Sequence, residues 1–391
     1  MATPRADSYA AASGSGVYGG RTADVVRATP DAAGGTVTQL LADWSGTGVQ
    51  RLTTAPALYV SSAHAGAVMD NAAGIVWLFG AETHAGSNGQ TGMDNSVFRF
   101  DIADGLFKRQ YPRDTWRGDY RIGADGILYA DAAKTRPWAM HTYRRMRYIP
   151  ATEEIEVVYD AFEHSYWSIA PLPIQEGAIA PVDNVSAFWY FNVRSGTWRA
   201  DPAGQRSQMS RAAFAHGTCF VPGFGWYALD GSFLYRLTEA GVFSSTNVAG
   251  LVNGKIHSAL YHWDGELIKI GGEPASGTLY SRTPLGNPAL SSKFDVSAYA
   301  ALAGHSMENT ASVQMPDGRY LIFPARTADN QMRPMVLDVG ANTVTPTGHA
   351  LTITTLTNLS FRIVWSVVHN CAIWITGKED GTVRAYAYRM P

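Results

Sequence analysis

Apolar residues in this chain come in short runs, each closed by a turn former. IVWLFG (75–80), EIEVVYD (154–160), FGWYALD (224–230), ELIKIGG (266–272), RYLIFPA (319–325) and CAIWITG (371–377) are of this kind. Before each lies an alternating segment that runs into Pro, Asp, Asn or Gly: AGAVMD, TYRRMRYIP, GTCFVP, SALYHWDG, NTASVQMPDG and FRIVWSVVHN. Alternation predicts a half-buried strand, and an uninterrupted apolar run predicts one buried on both faces. After several of these pairs comes a strand, a polar turn and an apolar restart. Val97 to Phe107, Phe188 to Trp198, Phe233 to Phe243 and, more weakly, Met335 to Val344 follow this plan. That is a hairpin signature. No helical stripe of useful length competes with it.

The unit is therefore a four-stranded antiparallel meander. Units starting near 64, 141, 216, 257, 308 and 362 tile the chain to its end. Sheets of this kind bury both faces by packing around an axis, which predicts an all-β fold, a β-propeller. Six blades are expected, with seven as the alternative. The last unit, ending in Arg384-AYAYRMP, lacks an outer strand. Gly35-TVTQLLADW is the expected donor, and such closure removes exposed sheet edges. Residues 1–40 are expected to form an extended N-terminal arm and 41–391 the propeller.

Composition agrees. Of 391 residues, 46% are hydrophobic and 16% charged, so the chain is not a disordered one. With 39 Gly, 19 Tyr, 15 Phe and 11 Trp it favours strands and turns. A net charge of -2 argues against a general nucleic-acid or membrane-surface binder. Cys219 and Cys371 are too few for a disulfide scaffold or a CxxC metal site, and both are expected to be buried free thiols. The N-terminus lacks the apolar core of a signal peptide, and no apolar run predicts a membrane span. Synthesis in a cytoplasm is expected, and the sequons at Asn184 and Asn358 then carry no meaning.

The stretch 75–107 resembles a kelch-type repeat. An apolar strand ends in Gly80, a polar loop leads to Ser96–Phe100, and Asp101 and a Gly105 turn precede Phe107. Gly271-Gly272 after ELIKI fits that family's double glycine. Elsewhere the match is degenerate, with Ala81 after Gly80 and Lys378 after Gly377. The resemblance covers residues 55–391 and implies a fold rather than an activity. The Ala/Gly/Ser-rich N-terminus ahead of a large β body is, in style, similar to phage tail components, and nozzle proteins of short-tailed phages contain propellers. That resemblance implies a non-enzymatic virion protein, made in the host cytoplasm and placed in the tail. Its partners would be copies of itself in a ring and neighbouring tail proteins, with passive contact with DNA in transit. The alternative is a receptor- or glycan-binding propeller with Trp77, Trp189 or Trp226 stacking on sugars, although each lies inside an apolar run. A kelch-type enzyme is the third reading.

Motifs for catalysis are missing: there is no GxSxG, HExxH, P-loop or EF-hand loop. ASGSGVYGG (12–20) lacks the Lys-Ser/Thr of a phosphate loop. His64, His141, His216 and His257 recur once per unit, as a repeat would place them. Near the axis they would form a partial ring able to hold a metal or anion. No Tyr/His/Cys ligand motif of a copper-radical oxidase is recognisable, and Ser195-Gly-Thr-Trp198 lacks the Asp of a sialidase turn. No cofactor or metal is expected. Arg144, Arg145 and Arg147 face Glu153, Glu154 and Glu156 across a turn, which predicts a cross-strand ladder. Contact with partners is expected instead from the arm and three long connections. The candidates are Tyr9 and Tyr18 in the arm, Thr83, His84 and Asn88 in 81–95, Trp116 and Tyr120 in 112–135, and Trp167, Pro171 and Pro173 in 164–184. The segment 112–135 has room for a hairpin of its own.

Overall fold

The computed structural model describes residues 65–80, 94–158, 187–201, 217–248, 257–272, 277–350, 362–377 and 382–390, together with Met209. Within these spans 104, 115–120, 126, 139, 141, 230–231, 327 and 330 are excepted, and for 17–18, 21–22, 25–26, 29–30, 48–56, 121–122, 128, 308–309, 325–326, 376–377 and 382–383 only the backbone is described.

Six sheets of antiparallel strands, each joined to its chain neighbour in order, form a six-bladed propeller. Blade 1 is Gly66–Asp70, Ile75–Phe79, Phe98–Asp101 and Leu106–Arg109, counted from the axis outward. Blade 2 is Met146–Ile149, Glu154–Val158, Phe188–Asn192 and Thr197–Asp201. Blade 3 is Gly217–Val221, Gly225–Leu229, Phe233–Leu237 and Phe243–Asn247. Blade 4 is Ala259–Trp263, Glu266–Ile270, Thr278–Pro284 and Ser292–Asp295. Blade 5 is His305–Gln314, Tyr320–Arg326, Met335–Asp338 and Thr343–Pro346. Blade 6 takes Ile363–Ser366, Cys371–Gly377 and Thr382–Arg389 from the chain's end, and its fourth strand from near the beginning.

That fourth strand corrects one expectation. Closure comes from Gly48–Pro56, which pairs antiparallel with Thr382–Arg389. The segment expected to supply it, from Gly35, lies outside the described residues. An outer strand buries little, so an apolar run such as TVTQLL is no guide to which segment fills the position. Further upstream, Val25–Val26 pairs with the outer strand of blade 1 and Thr29–Pro30 with the closing strand. A separate hairpin pairs Val17–Tyr18 with Arg21–Thr22.

The core is six apolar seams, one between each pair of neighbouring blades. Alternation in the second strand decides which seam each side chain enters. Ile75, Trp77 and Phe79 pack toward blade 2, while Val76 and Leu78 pack toward blade 6. Seams of the same build join blades 2 and 3, 3 and 4, 4 and 5, and 5 and 6, which closes the ring. This explains the uninterrupted apolar runs: their strands have no solvent face. Trp77, Trp189 and Trp226 are all core residues in these seams, so none of them is a surface platform for sugars.

Meander topology sorts the connections onto two faces. Turns between first and second, and between third and fourth, strands lie on one face, and all are short. Connections between second and third strands, and between blades, leave and rejoin the strands on the other face, including 80–97, 110–145 and 159–187. The expected hairpin in 112–135 is present as Arg121–Ile122 paired with Leu128–Tyr129. Among the described residues six exposed large apolar side chains stand on the short-turn face, Phe224, Val242, Trp263, Leu290, Val367 and Val368, and one, Phe233, on the other. Among the described residues no helix is long and apolar enough to cross a membrane.

Candidate functional site: the axis and the roots of the long loops

Inner strands bring Ala67, Met146, Thr218, Leu260 and Ile363 to the axis, around a cavity of about 470 Å³ that also runs along the seam between blades 2 and 3. Arg144, just ahead of blade 2, reaches across this space. Its Nη1 donates to Tyr261 Oη at 2.9 Å and its Nη2 to the Ser312 carbonyl at 2.6 Å. The guanidinium also lies 5.5 Å from the Tyr261 ring centroid. The Thr218 hydroxyl donates to the Arg144 carbonyl at 3.2 Å. One side chain thus ties blades 2, 4 and 5 at the axis, and its carbonyl engages blade 3. Burial, partly offset by Arg144, raises the Tyr261 phenol above its usual range and keeps it a neutral donor.

At the edge of the cavity, Arg147 lies 3.3 Å from the Phe220 ring centroid and donates to Glu156. The buried Glu156 carboxylate also accepts from Tyr190 at 2.7 Å and from Trp226 Nε1 at 3.0 Å. Of the expected Arg/Glu ladder, Arg147–Glu156 alone is found across the hairpin. Glu154 pairs with Arg199, Glu153 with Arg194, and Arg145 is fully buried with its guanidinium over the Tyr143 ring. Arg144 and Arg145 precede the strand Met146–Ile149 and only Arg147 lies in it, so the full ladder expected from the spacing does not form. The hydrogen bond from Arg199 is the main reason that the Glu154 carboxyl is held below its usual range.

A second buried polar cluster lies between blades 1 and 2. Arg136 grips Asp114 with Nε at 2.7 Å and Nη2 at 2.5 Å. Asn95 Nδ2 donates to Asp114 at 2.9 Å, and the Asp114 backbone N–H donates back to Asn95 Oδ1 at 2.9 Å. Asp94 takes Arg109 at 2.9 Å. Trp198 Nε1 donates to Tyr111 Oη at 2.7 Å, and that hydroxyl donates to the Asn95 carbonyl at 2.5 Å. Burial opposes the charge on Arg136, yet Asp114 raises its pKa overall.

This cluster matters because of where it sits. Asp94 and Asn95 end the 81–93 segment, and Asp114 begins 115–120. Two long connections therefore leave the propeller from one rigid root. Thr83, His84 and Asn88 lie in the first, Trp116 and Tyr120 in the second, and all five fall outside the described residues. So do Tyr9, Trp167, Pro171 and Pro173, while Tyr18 is seen only as backbone in the N-terminal hairpin. The 159–186 segment, which holds Trp167, Pro171 and Pro173, leaves between the second and third strands of blade 2, on the same face.

The proposed histidine series is described only at His257, whose ring lies 5.4 Å from that of Tyr143; His64, His141 and His216 lie outside the described residues. Among the described residues no group of three or more His, Cys, Asp or Glu side chains is placed to hold a metal. Both cysteines are free thiols; Cys371 is buried, whereas Cys219 is only partly so and lines the axial cavity. Sequence reasoning placed Arg144 in a cross-strand ladder and found neither its role at the axis nor the Asp114 cluster. Their partners come from distant parts of the chain, and no local signal marks them.

No protein-family model matches the chain, and no curated protein matches it in sequence. Solved structures to which it is similar include an oligogalacturonate lyase in complex with manganese, at 10% identity over 94% of this chain and 97% of that one, with a TM-score of 0.38. An exo-beta-1,3-galactanase from Clostridium thermocellum matches at 13% identity over 73% of this chain and 61% of its own, with a TM-score of 0.39. An oligogalacturonate lyase from Vibrio parahaemolyticus matches at 9% identity over 94% and 98%, with a TM-score of 0.37. These neighbours correct the expectation of a non-enzyme. Enzymes are found among chains of similar architecture, and a propeller site assembled from several blades leaves no linear motif to miss. At such low identity no activity passes from them to this chain.

Proposed function

We propose that this protein is an assembly module of a phage tail, a rigid propeller that contacts copies of itself and neighbouring tail proteins. The observation that carries this reading is the difference between its two faces. One face bears short turns with six exposed large apolar residues, and the other bears all the long connections. Head-to-tail assembly needs two unlike surfaces on each copy, and exposed apolar residues mark contact faces. The buried Asp114 cluster supports it further by fixing where two of the long loops begin. Because Arg144 crosses the axis, any conduit for DNA would run through a ring of copies and not through one propeller. The placement in a tail rests on the character of the N-terminal sequence. Light scattering on the full chain, followed by electron microscopy of any multimer, tests the reading: rings or stacks are expected, and a strict monomer would refute it.

The axial cavity favours a second reading, the binding of an acidic sugar or other carboxylate at the axis. Arg144, Arg147 and Tyr148 line it. Screening the chain and its Arg144→Ala variant against acidic glycans, with turnover of each followed, tests this. Binding that survives the substitution would place the ligand elsewhere.

A further inference from the structure

The outer strands of the six blades are not alike. Those of blades 1 and 6 are covered by Val25–Val26 and Thr29–Pro30. In blades 2, 4 and 5 the outermost strand carries a charge or a proline: Arg199 and Asp201, Lys293 and Asp295, or Pro346. Such residues protect an open edge from further pairing. Blade 3 has neither. Its outer strand, Phe243–Asn247, reads FSSTN, with Ser244 to Asn247 exposed, and no fifth strand joins it among the described residues.

The ladder shows which groups face outward. Val248 N–H donates to the Ser232 carbonyl and Thr238 N–H to the Val242 carbonyl. Antiparallel pairs alternate, so Thr246 and Ser244 also bond inward, and the backbone groups of Ser245 and Asn247 point away from the sheet. Beside this edge the Tyr235 and Phe243 rings stack, with centroids 6.1 Å apart.

One element of the same chain has the opposite need. The hairpin Val17–Tyr18 with Arg21–Thr22 is a two-stranded sheet joined to no other among the described residues. An isolated hairpin is marginal in water and gains by joining a larger sheet. Val, Tyr and Thr are strong strand formers. The hairpin cannot reach blade 3 of its own propeller. Thr22 to Val25, which is held on blade 1, spans at most about 11 Å. The outer strand of a blade stands roughly 14 Å beyond its inner strand, so the outer edges of blades 1 and 3 are about 25 Å apart or more.

We propose that the outer edge of blade 3 is a β-addition site for the Val17–Thr22 hairpin of a second copy of this chain. This deepens the assembly reading above and rests on it. Each copy has one edge and one hairpin, so the contact is heterologous and propagates into a ring or filament.

The test uses the full chain. Ser245→Pro removes an N–H that faces outward, so the bonds within blade 3 survive while the edge is blocked. The expected result is a multimer for the parent, a monomer for Ser245→Pro, and equal melting temperatures. A Thr22→Cys copy mixed with a Ser245→Cys copy should form an interchain disulfide. If Ser245→Pro stays multimeric, the edge proposal fails and the assembly reading stands. If the parent is monomeric and no cross-link forms, both fail. A disulfide that closes within one chain carrying both cysteines would overturn the second-copy assignment.

Discussion

Replacing Asp114 by Ala gives the sharpest test of the packing described above. Asp114 is 1% exposed and its partner Arg136 15% exposed. The substitution removes both hydrogen bonds of the bidentate pair and the one from Asn95. Breaking a buried pair by deleting one member costs about 3–5 kcal/mol, because the other charge stays behind. Asp131 lies 3.8 Å from Arg136 and offers partial compensation, so the lower end, about 3 kcal/mol, is expected. For a chain of this size that lowers the melting temperature by about 4 °C. Thermal and urea unfolding would read it. The control is Asp114→Leu with Arg136→Met, which leaves no stranded charge and should recover most of the loss. Because Asp114 also roots the 115–120 segment, limited trypsin cleavage at Arg117 should be faster in Asp114→Ala. A melting temperature within about 1 °C of the parent, or a double variant as unstable as the single one, would refute the argument.

Other outcomes follow from the same geometry. Arg144→Ala loses two charge-assisted hydrogen bonds and a ring contact at the axis, and should cost about 2–4 kcal/mol in urea unfolding. A Cβ at Gly217 would lie 2.8 Å from the Leu260 backbone nitrogen, so Gly217→Ala should destabilise by about 1–3 kcal/mol through overpacking where blades 3 and 4 meet. Burial, with Arg389 adding to it, depresses the His369 pKa below its ordinary 6.5. Its contribution is therefore fully present above pH 6.5 and is lost as pH falls through the lower folded value. His369→Gln should flatten the decline of melting temperature below pH 6.5, measured by calorimetry. Burial pushes the Cys371 thiol up to about 12. Iodoacetamide at neutral pH should leave it unmodified until the chain unfolds, as read by mass spectrometry.

The blades were legible in the sequence because each strand had to satisfy a strong local rule. Middle strands buried on both sides read as apolar runs, and inner strands as alternation. The outer strands obey no such rule, and the closing strand was accordingly misplaced: Gly48–Pro56 is a mixed, half-polar segment. Buried charge was invisible for another reason. Arg99, Arg145 and Arg362 are fully buried, the last with its pKa pulled down to about 10 by burial. A composition argument would have put them on the surface. The Arg144 hydrogen bonds span 117 and 168 residues of chain. Local periodicity cannot report a contact of that reach.

Ring closure by Gly48–Pro56 also sets an order of events in time. This strand emerges early during synthesis, yet its partner, Thr382–Arg389, is the last strand of the ring to be made. The first and sixth blades meet across a seam that exists only once the whole chain is present. Until then an early strand has only Thr29–Pro30 beside it, and a half-made ring carries open apolar seams at both ends. Long-range pairing of this kind is slow and exposes the nascent chain to aggregation. Once closed, the same arrangement works the other way. Neither Gly48–Pro56 nor Thr382–Arg389 can leave the ring without breaking the ladder between them.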